Sequence, residues 1–143
     1  MVENYPTLFV DTSAWIALNE KKDSHHKAAR NFVERNKNGE FDFGSLHTSD
    51  MILQETYTFL LYNYNHNAAV DIVESILDSE VIIHPFRSVD FKDIWTRVKK
   101  EKNKLSFVDW STVSYMEDYG IRYVFTFDGD FDKLGYNVMP KRA

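Results

Sequence analysis

Apolar residues in this chain follow two rhythms. Short unbroken runs, Leu8-Phe9-Val10, Val81-Ile82-Ile83 and Tyr123-Val124-Phe125-Thr126-Phe127, have the length and the β-branched or aromatic character of buried strands. Between them apolar residues recur at helical spacing, usually behind a capping side chain. Asp11-Thr12-Ser13 precedes a short helix over 14–18. Asp23-Ser24 precedes a helix over 25–36, with Ala28, Ala29, Phe32 and Val33 as its apolar stripe and Gly39 as its stop. Thr48-Ser49-Asp50 opens a helix over 50–63, and a short strand is expected before it within 41–47. A helix over 67–79 turns Val70, Val73, Ile76 and Leu77 inward, and another spans 89–102. Ser106-Phe107-Val108-Asp109 reads as a capping box with aspartate in the acidic place, opening a helix that ends at Gly120. Residues 137–139 add an edge strand.

This alternation predicts an α/β protein, a three-layer α/β/α sandwich with a mainly parallel central sheet, because crossover helices return the chain to the same edge. Residues that follow the strands then share that edge, which is where α/β proteins do chemistry. Two of the runs end in aspartate, at Asp11 and at Asp128. Glu55 lies early in the 50–63 helix and Asp109 in the first turn of its own, so four carboxylates can converge. Each has a plain alternative: Asp11 as a helix cap, Asp109 as half of a capping box, Glu55 as a solvated group, Asp128-Gly129 as a turn. Their joint placement favours a shared site. Two carboxylates about 4 Å apart repel by roughly 4 kcal/mol at an effective dielectric near 20, and a bound cation relieves this. Oxygen-only ligands favour Mg²⁺ or Mn²⁺ over zinc.

Composition narrows the class. A chain of 143 residues with no composition break reads as a single domain over 1–143, and 43% hydrophobic content excludes compositional disorder. The net charge of −5 argues against nucleic-acid binding through bulk charge, although clustered acids mask a local basic face. The absence of cysteine excludes disulfides, thiol catalysis and a cysteine zinc module. Residues 1–6 show no basic-then-apolar pattern, so no signal peptide or membrane span is expected and a cytoplasmic location is. Arg97, Lys99, Lys100, Lys102 and Lys104, against Glu101 alone, make a local balance of +4 just before Asp109. They are candidate RNA contacts, with Arg30, Arg35 and Lys37 a weaker set; a solvated helix end explains the same run. The five histidines show no helical zinc pair, and none is assigned to catalysis.

Phe9-Val10-Asp11-Thr12-Ser13, Ser49 with Glu55, Leu105-Ser106-Phe107-Val108-Asp109 and Thr126-Phe127-Asp128-Gly129-Asp130-Phe131 together resemble the motifs of PIN domains over nearly the whole chain. Length and motif order resemble the VapC-type toxins of toxin–antitoxin modules. The resemblance implies a Mg²⁺- or Mn²⁺-dependent endoribonuclease, an RNA substrate, a small antitoxin as partner and a homodimer. It implies Asp11, Glu55, Asp109 and Asp128 as the catalytic and metal-binding quartet. It implies Asp130 as a supplementary ligand or water-orienting group and Asp132 as facing solvent; the hydroxyls of Thr12, Ser13 and Thr126 stand beside the cluster and can bond a carboxylate, although helix capping explains Thr12 and Ser13 equally well. Trp110 departs from the pattern, since a small residue is usual after the third acid. The aromatic stripe Tyr57, Phe59, Leu60, Leu61, Tyr62 and Tyr64 is too broad for one buried face, and the resemblance implies a dimer or antitoxin surface there.

Other readings account for fewer residues. Asp128-x-Asp130-x-Asp132 opens like a calcium loop, but its sixth position is Lys133 and its twelfth Met139. A phosphotransfer receiver or phosphatase also places aspartate after its first strand, but no Asp-x-Asp follows here. A PIN fold kept as an inactive RNA- or protein-binding module, or as a housekeeping RNase in RNA processing, completes the alternatives.

Overall fold

The computed structural model describes residues 6–141. Its core is a five-stranded sheet in the order β3-β2-β1-β4-β5, with every adjacent pair parallel. The strands are β1 (Thr7–Val10), β2 (Ser45–Ser49), β3 (Ile82–His84), β4 (Tyr123–Phe125) and β5 (Asn137–Met139). The helices are α1 (Thr12–Asn19), α2 (His26–Lys37), α3 (Asp50–Asn63), α4 (His66–Leu77), α5 (Ser88–Lys100) and α6 (Phe107–Asp118), and a 3-10 turn covers Gly129–Leu134. This is the expected α/β/α sandwich. No helix among the described residues is long and apolar enough to cross a membrane.

The chain lays β2 and β3 on one side of β1 and then returns to lay β4 and β5 on the other. The strand order therefore reverses beside β1, and the crevice outside the carboxyl ends of β1 and β4 is the topological switch point where open α/β sheets bind ligands. In register, Val10 stands opposite Phe125, and the Asp11 N–H donates to the Phe125 carbonyl at 3.0 Å. Asp11 and Thr126 thus leave the sheet side by side.

One hydrophobic cluster holds both layers to the sheet. Leu8, Phe9, Val10, Val124 and Phe125 are essentially fully buried, and Phe32 of α2 meets Phe125 edge-on at 4.8 Å. Thr48 is a buried polar residue in β2, yet it is satisfied: it accepts from Trp15 Nε1 at 3.1 Å and donates to the Val10 carbonyl at 3.0 Å. These bonds tie α1 and β1 to β2 at the end of the sheet that carries the site.

Several sequence expectations shift. The strand expected within 41–47 is β2 at Ser45–Ser49; Phe41 and Phe43 instead pack on Phe32 from an irregular segment pinned by the Asn36 side chain to both backbone groups of Phe43. On α2, Ala29 and Phe32 are buried while Ala28 is exposed. On α4 the buried positions are Ala69, Ile72 and Ile76, with Leu77 outward. The run ending at Phe127 leaves the sheet after Phe125, and α5 stops at Lys100. Gly39 and Gly120 follow their helices at φ +85° and +65°, the left-handed conformation that a side chain disfavours.

Candidate functional site

Asp11 stands at the N-cap position of α1, but its side chain makes no cap hydrogen bond. It is 4% exposed and accepts from Thr126 Oγ1 at 2.8 Å. Thr126 has only one hydroxyl proton, so proton counting directs the rest of the network. Ser13 Oγ, 3.1 Å away, must donate to Thr126 Oγ1, which also accepts from the Asp128 N–H at 3.0 Å. Ser13 Oγ in turn accepts from the Phe127 N–H at 2.9 Å. A hydroxyl pair thereby couples the end of β1 to the end of β4. Of the three flanking hydroxyls, Thr126 bonds the carboxylate directly and Ser13 acts through it; Thr12 Oγ1 is buried with no hydrogen-bond partner among the described residues.

The other acids arrive from separate elements. Ser49 caps α3 by accepting from Ile52 N at 3.2 Å, so β2 runs straight into the helix that presents Glu55. Ser106 and Asp109 form the expected reciprocal capping box: Asp109 N–H donates to Ser106 Oγ at 3.0 Å and Ser106 N–H donates to Asp109 Oδ2 at 3.1 Å. That bond occupies one carboxylate oxygen and orients the other. Asp128 Oδ1 accepts from the Asp130 N–H at 3.0 Å, which fixes the start of the 3-10 turn.

Asp11, Glu55, Asp109 and Asp128 line one cleft of about 240 Å³. One carboxylate oxygen each from Asp109, Asp128 and Asp130 also lie within 4.8 Å of one another. Asp11 and Glu55 stand outside that tight trio but share the cleft with two of its members. Among the described lining residues there is no lysine or arginine; Lys133 reaches Asp130 from outside at 3.9 Å and is mostly solvent-exposed.

Electrostatics follow from this imbalance. Burial pushes the Asp11 carboxyl up from 3.8 to about 7; the Thr126 hydroxyl and the Thr12 backbone oppose the shift, and the charges of Asp109 and Glu55 add to it. Asp109 is also raised, first by burial, against its Ser106 hydrogen bonds and with the charges of Asp128 and Glu55 behind it. The set is oxygen-only, crowded and under-neutralised, so a hard divalent cation fits the donors present.

A family model for the PIN domain matches residues 8–136. The chain belongs to the PIN-domain family. Over 136 residues this PIN domain is 30% identical to the 23S rRNA-specific endonuclease VapC20 of Mycobacterium tuberculosis, covering 94% of this chain and 99% of the relative. The crystal structure of that protein, described as a Sarcin-Ricin loop cleaving toxin, superposes with TM-score 0.81 at 28% identity, covering 91% of this chain and 96% of that one. The DNA-bound VapBC structure from Salmonella typhimurium matches with TM-score 0.62 at 14% identity, covering 93% of this chain and 96% of that one; this likeness is one of fold. Family and acidic cluster together point to divalent-metal use.

The remaining expected positions fare differently. Trp110 is buried behind the site, its ring 4.9 Å from the Arg97 guanidinium, so the large residue packs away from the cleft. Arg97 is held by Trp110 and by a two-pronged bond to Glu117 at 2.7 and 2.9 Å, which commits it to joining α5 and α6. Lys99, Lys100, Lys102 and Lys104 are exposed, and Lys104 with Lys133 lines a second cleft of about 250 Å³ that reaches Asp130. Asp132 is exposed, as expected. Sequence reasoning missed three walls of the acidic cleft: Asp23, taken only as a helix cap, His25 and Phe59. The stripe on α3 splits, with Leu60 buried and Phe59 and Tyr62 40% and 82% exposed.

Proposed function

We propose that residues 1–143 form a single PIN nuclease domain that hydrolyses RNA phosphodiesters with Mg²⁺ or Mn²⁺, as the toxin of a VapBC-like pair acting in the cytoplasm. The observation that carries the reading is the convergence of Asp11, Glu55, Asp109 and Asp128 on one cleft without a lysine or arginine among its described lining residues. The 30% identity to VapC20, an rRNA endonuclease by its description, supports RNA as the substrate class.

In this reading Asp11, Glu55, Asp109 and Asp128 hold the ion, with Asp130 beside Asp109 and Asp128. When bound, the ion supplies charge neutralisation at the scissile phosphate and a lowered pKa for an attacking water. The chain's own part is orientation. Thr126 and Ser13 hold Asp11 in one rotamer, the capping box holds Asp109, and the Asp130 backbone holds Asp128. Of the basic residues, Lys104 and Lys133 flank the acids and are assigned to the RNA phosphates, with Lys99, Lys100 and Lys102 beyond them; Arg97 is engaged elsewhere. A small antitoxin and a second copy of the chain are the proposed protein partners.

The test is cleavage of 23S rRNA, its sarcin–ricin hairpin and unstructured RNAs with Mg²⁺ or Mn²⁺. Cutting abolished by EDTA and by Asp109→Asn is the expected result. Cutting that survives either control overturns the metal assignment, and no cutting of any RNA by folded protein overturns the activity.

A further inference from the structure

We infer that His25 and Phe59 form a nucleobase-binding wall beside the carboxylates, and that the chain therefore takes RNA whose bases next to the cut are unpaired and turned out of the helix. The inference rests on the endoribonuclease reading and adds to it a substrate conformation and two specificity residues.

His25 is exposed and lines the acidic cleft. Its side chain is not spent on capping α2, although it occupies the N-cap position. The imidazole lies flat on Phe127, with ring centroids 4.4 Å apart and planes 9° from parallel. Phe127 is the residue before Asp128, and its N–H donates to Ser13 Oγ. The hydroxyl pair that orients Asp11 thus also sets the backbone carrying this ring stack. With one face on Phe127, the histidine leaves its other face for a ligand ring.

Phe59 follows Glu55 by four residues and so lies on the same face of α3. It is 40% exposed and belongs to two clefts at once. One is the acidic cleft; the other, about 460 Å³, is largely apolar and includes Met51, Glu55, Thr58 and Val108. Glu55 and Phe59 form the shared wall, so an apolar surface continues directly from the carboxylates.

Scattered surface aromatics need no explanation. These two differ because both line a cleft that also holds five carboxylates. A phosphodiester gains nothing from an aromatic face, whereas the bases on either side of it do. Protein recognition of RNA sequence uses single-stranded or looped nucleotides whose free base faces stack on aromatic side chains, and a base inside a duplex has no face to offer. Carboxylates for the phosphate and rings for its flanking bases together describe a splayed nucleotide step.

The experiment uses the full chain and RNA hairpins and single strands carrying 2-aminopurine at each position in turn, with Ca²⁺ to hold the site without turnover. Wild-type protein should quench the probe at one or two adjacent unpaired positions. His25→Ala and Phe59→Ala should each weaken this binding at least tenfold, while His25→Phe, which keeps the flat ring, should retain it. Where wild type cleaves, the same variants should raise KM, and an abasic site beside the cut should raise the wild-type KM about as much as the alanine substitution does while costing the alanine variants nothing further. Equal quenching in all proteins, or equal abasic penalties in wild type and both alanine variants, overturns the wall. Failure of wild type to cleave any RNA overturns the nuclease reading separately, because the Ca²⁺ binding readout does not depend on turnover. Unchanged Tm in each variant shows that the fold is intact.

Discussion

Replacing Asp11 by asparagine should make the protein more stable while ending its activity. Asp11 is 4% exposed, and burial with neighbouring acids pushes its carboxyl from 3.8 to about 7. A group held at a raised pKa binds its proton more tightly when folded, so its contribution is fully favourable below 3.8 and is lost as pH rises through about 7. At about 1.4 kcal/mol per pH unit, the penalty at pH 8 without a cation is at most about 4 kcal/mol. Asparagine removes the charge and keeps an oxygen to accept the Thr126 hydroxyl, so most of that penalty should be recovered. At about 2–4 °C per kcal/mol for a chain of this size, metal-free Asp11→Asn should melt several degrees above wild type at pH 8. Urea denaturation in EDTA at pH 8, 6 and 4 is the assay. The gain should shrink stepwise with falling pH and vanish near pH 4. A variant less stable than wild type at pH 8, or a gain that does not change with pH, refutes the reasoning.

Two further outcomes follow from the same site. Millimolar Mg²⁺ or Mn²⁺ should raise the wild-type Tm at pH 8, by about 2.7 kcal/mol of stabilisation at a hundredfold excess over Kd, and the Asp109→Asn variant should lose most of that rise; thermal melts with and without EDTA check this. Thr126→Val deletes the donor to a buried charged group and should destabilise by about 2 kcal/mol at pH 8, with Thr126→Ser restoring stability and cleavage; equal urea midpoints for the valine variant and wild type would remove Thr126 from the site's support.

Much of this architecture is written in local chemistry, and its misreadings share a cause. β1 and β4 are legible because strands buried on both faces need unbroken apolar runs. β2 is equally central but reads Ser-Leu-His-Thr-Ser, since its polar side chains are satisfied across the fold: Thr48 by Trp15 and Val10, His47 by His84 at 2.7 Å. No local pattern announces such partners. The neighbouring Phe41 and Phe43 belong to no strand, and both reach Phe32 from a loop. The α4 misreading is partial: Ile76 is buried as expected, but Val70 and Val73 are half-buried and Leu77 points outward, while Ala69 and Ile72 take the fully buried positions, a neighbouring phase that the stripe alone does not separate. Asp11, Asp109 and Asp128 were legible as strand-end and cap residues. His25 and Phe59 were not, because their meaning comes from Phe127 and Glu55, one distant in sequence and the other set by helix phase.

The distribution of burial explains how a marginally stable fold carries so much like charge. Glu55 is exposed and Asp128 and Asp130 are half-buried, so water screens much of their mutual repulsion. Asp109 is half-buried, but its carboxylate accepts the Ser106 N–H in a capping box at a helix N-terminus, where negative charge is favoured. Of these five acids only Asp11 is fully enclosed, and its hydroxyl donor, Thr126, comes from just beyond β4, at the place where strand order reverses. The destabilisation is therefore concentrated on one residue, at the point where β1 and β4 hold its backbone most rigidly. Charge-neutral substitutions at Glu55 or Asp128 should alter stability far less than Asp11→Asn, although all three positions face the same cleft.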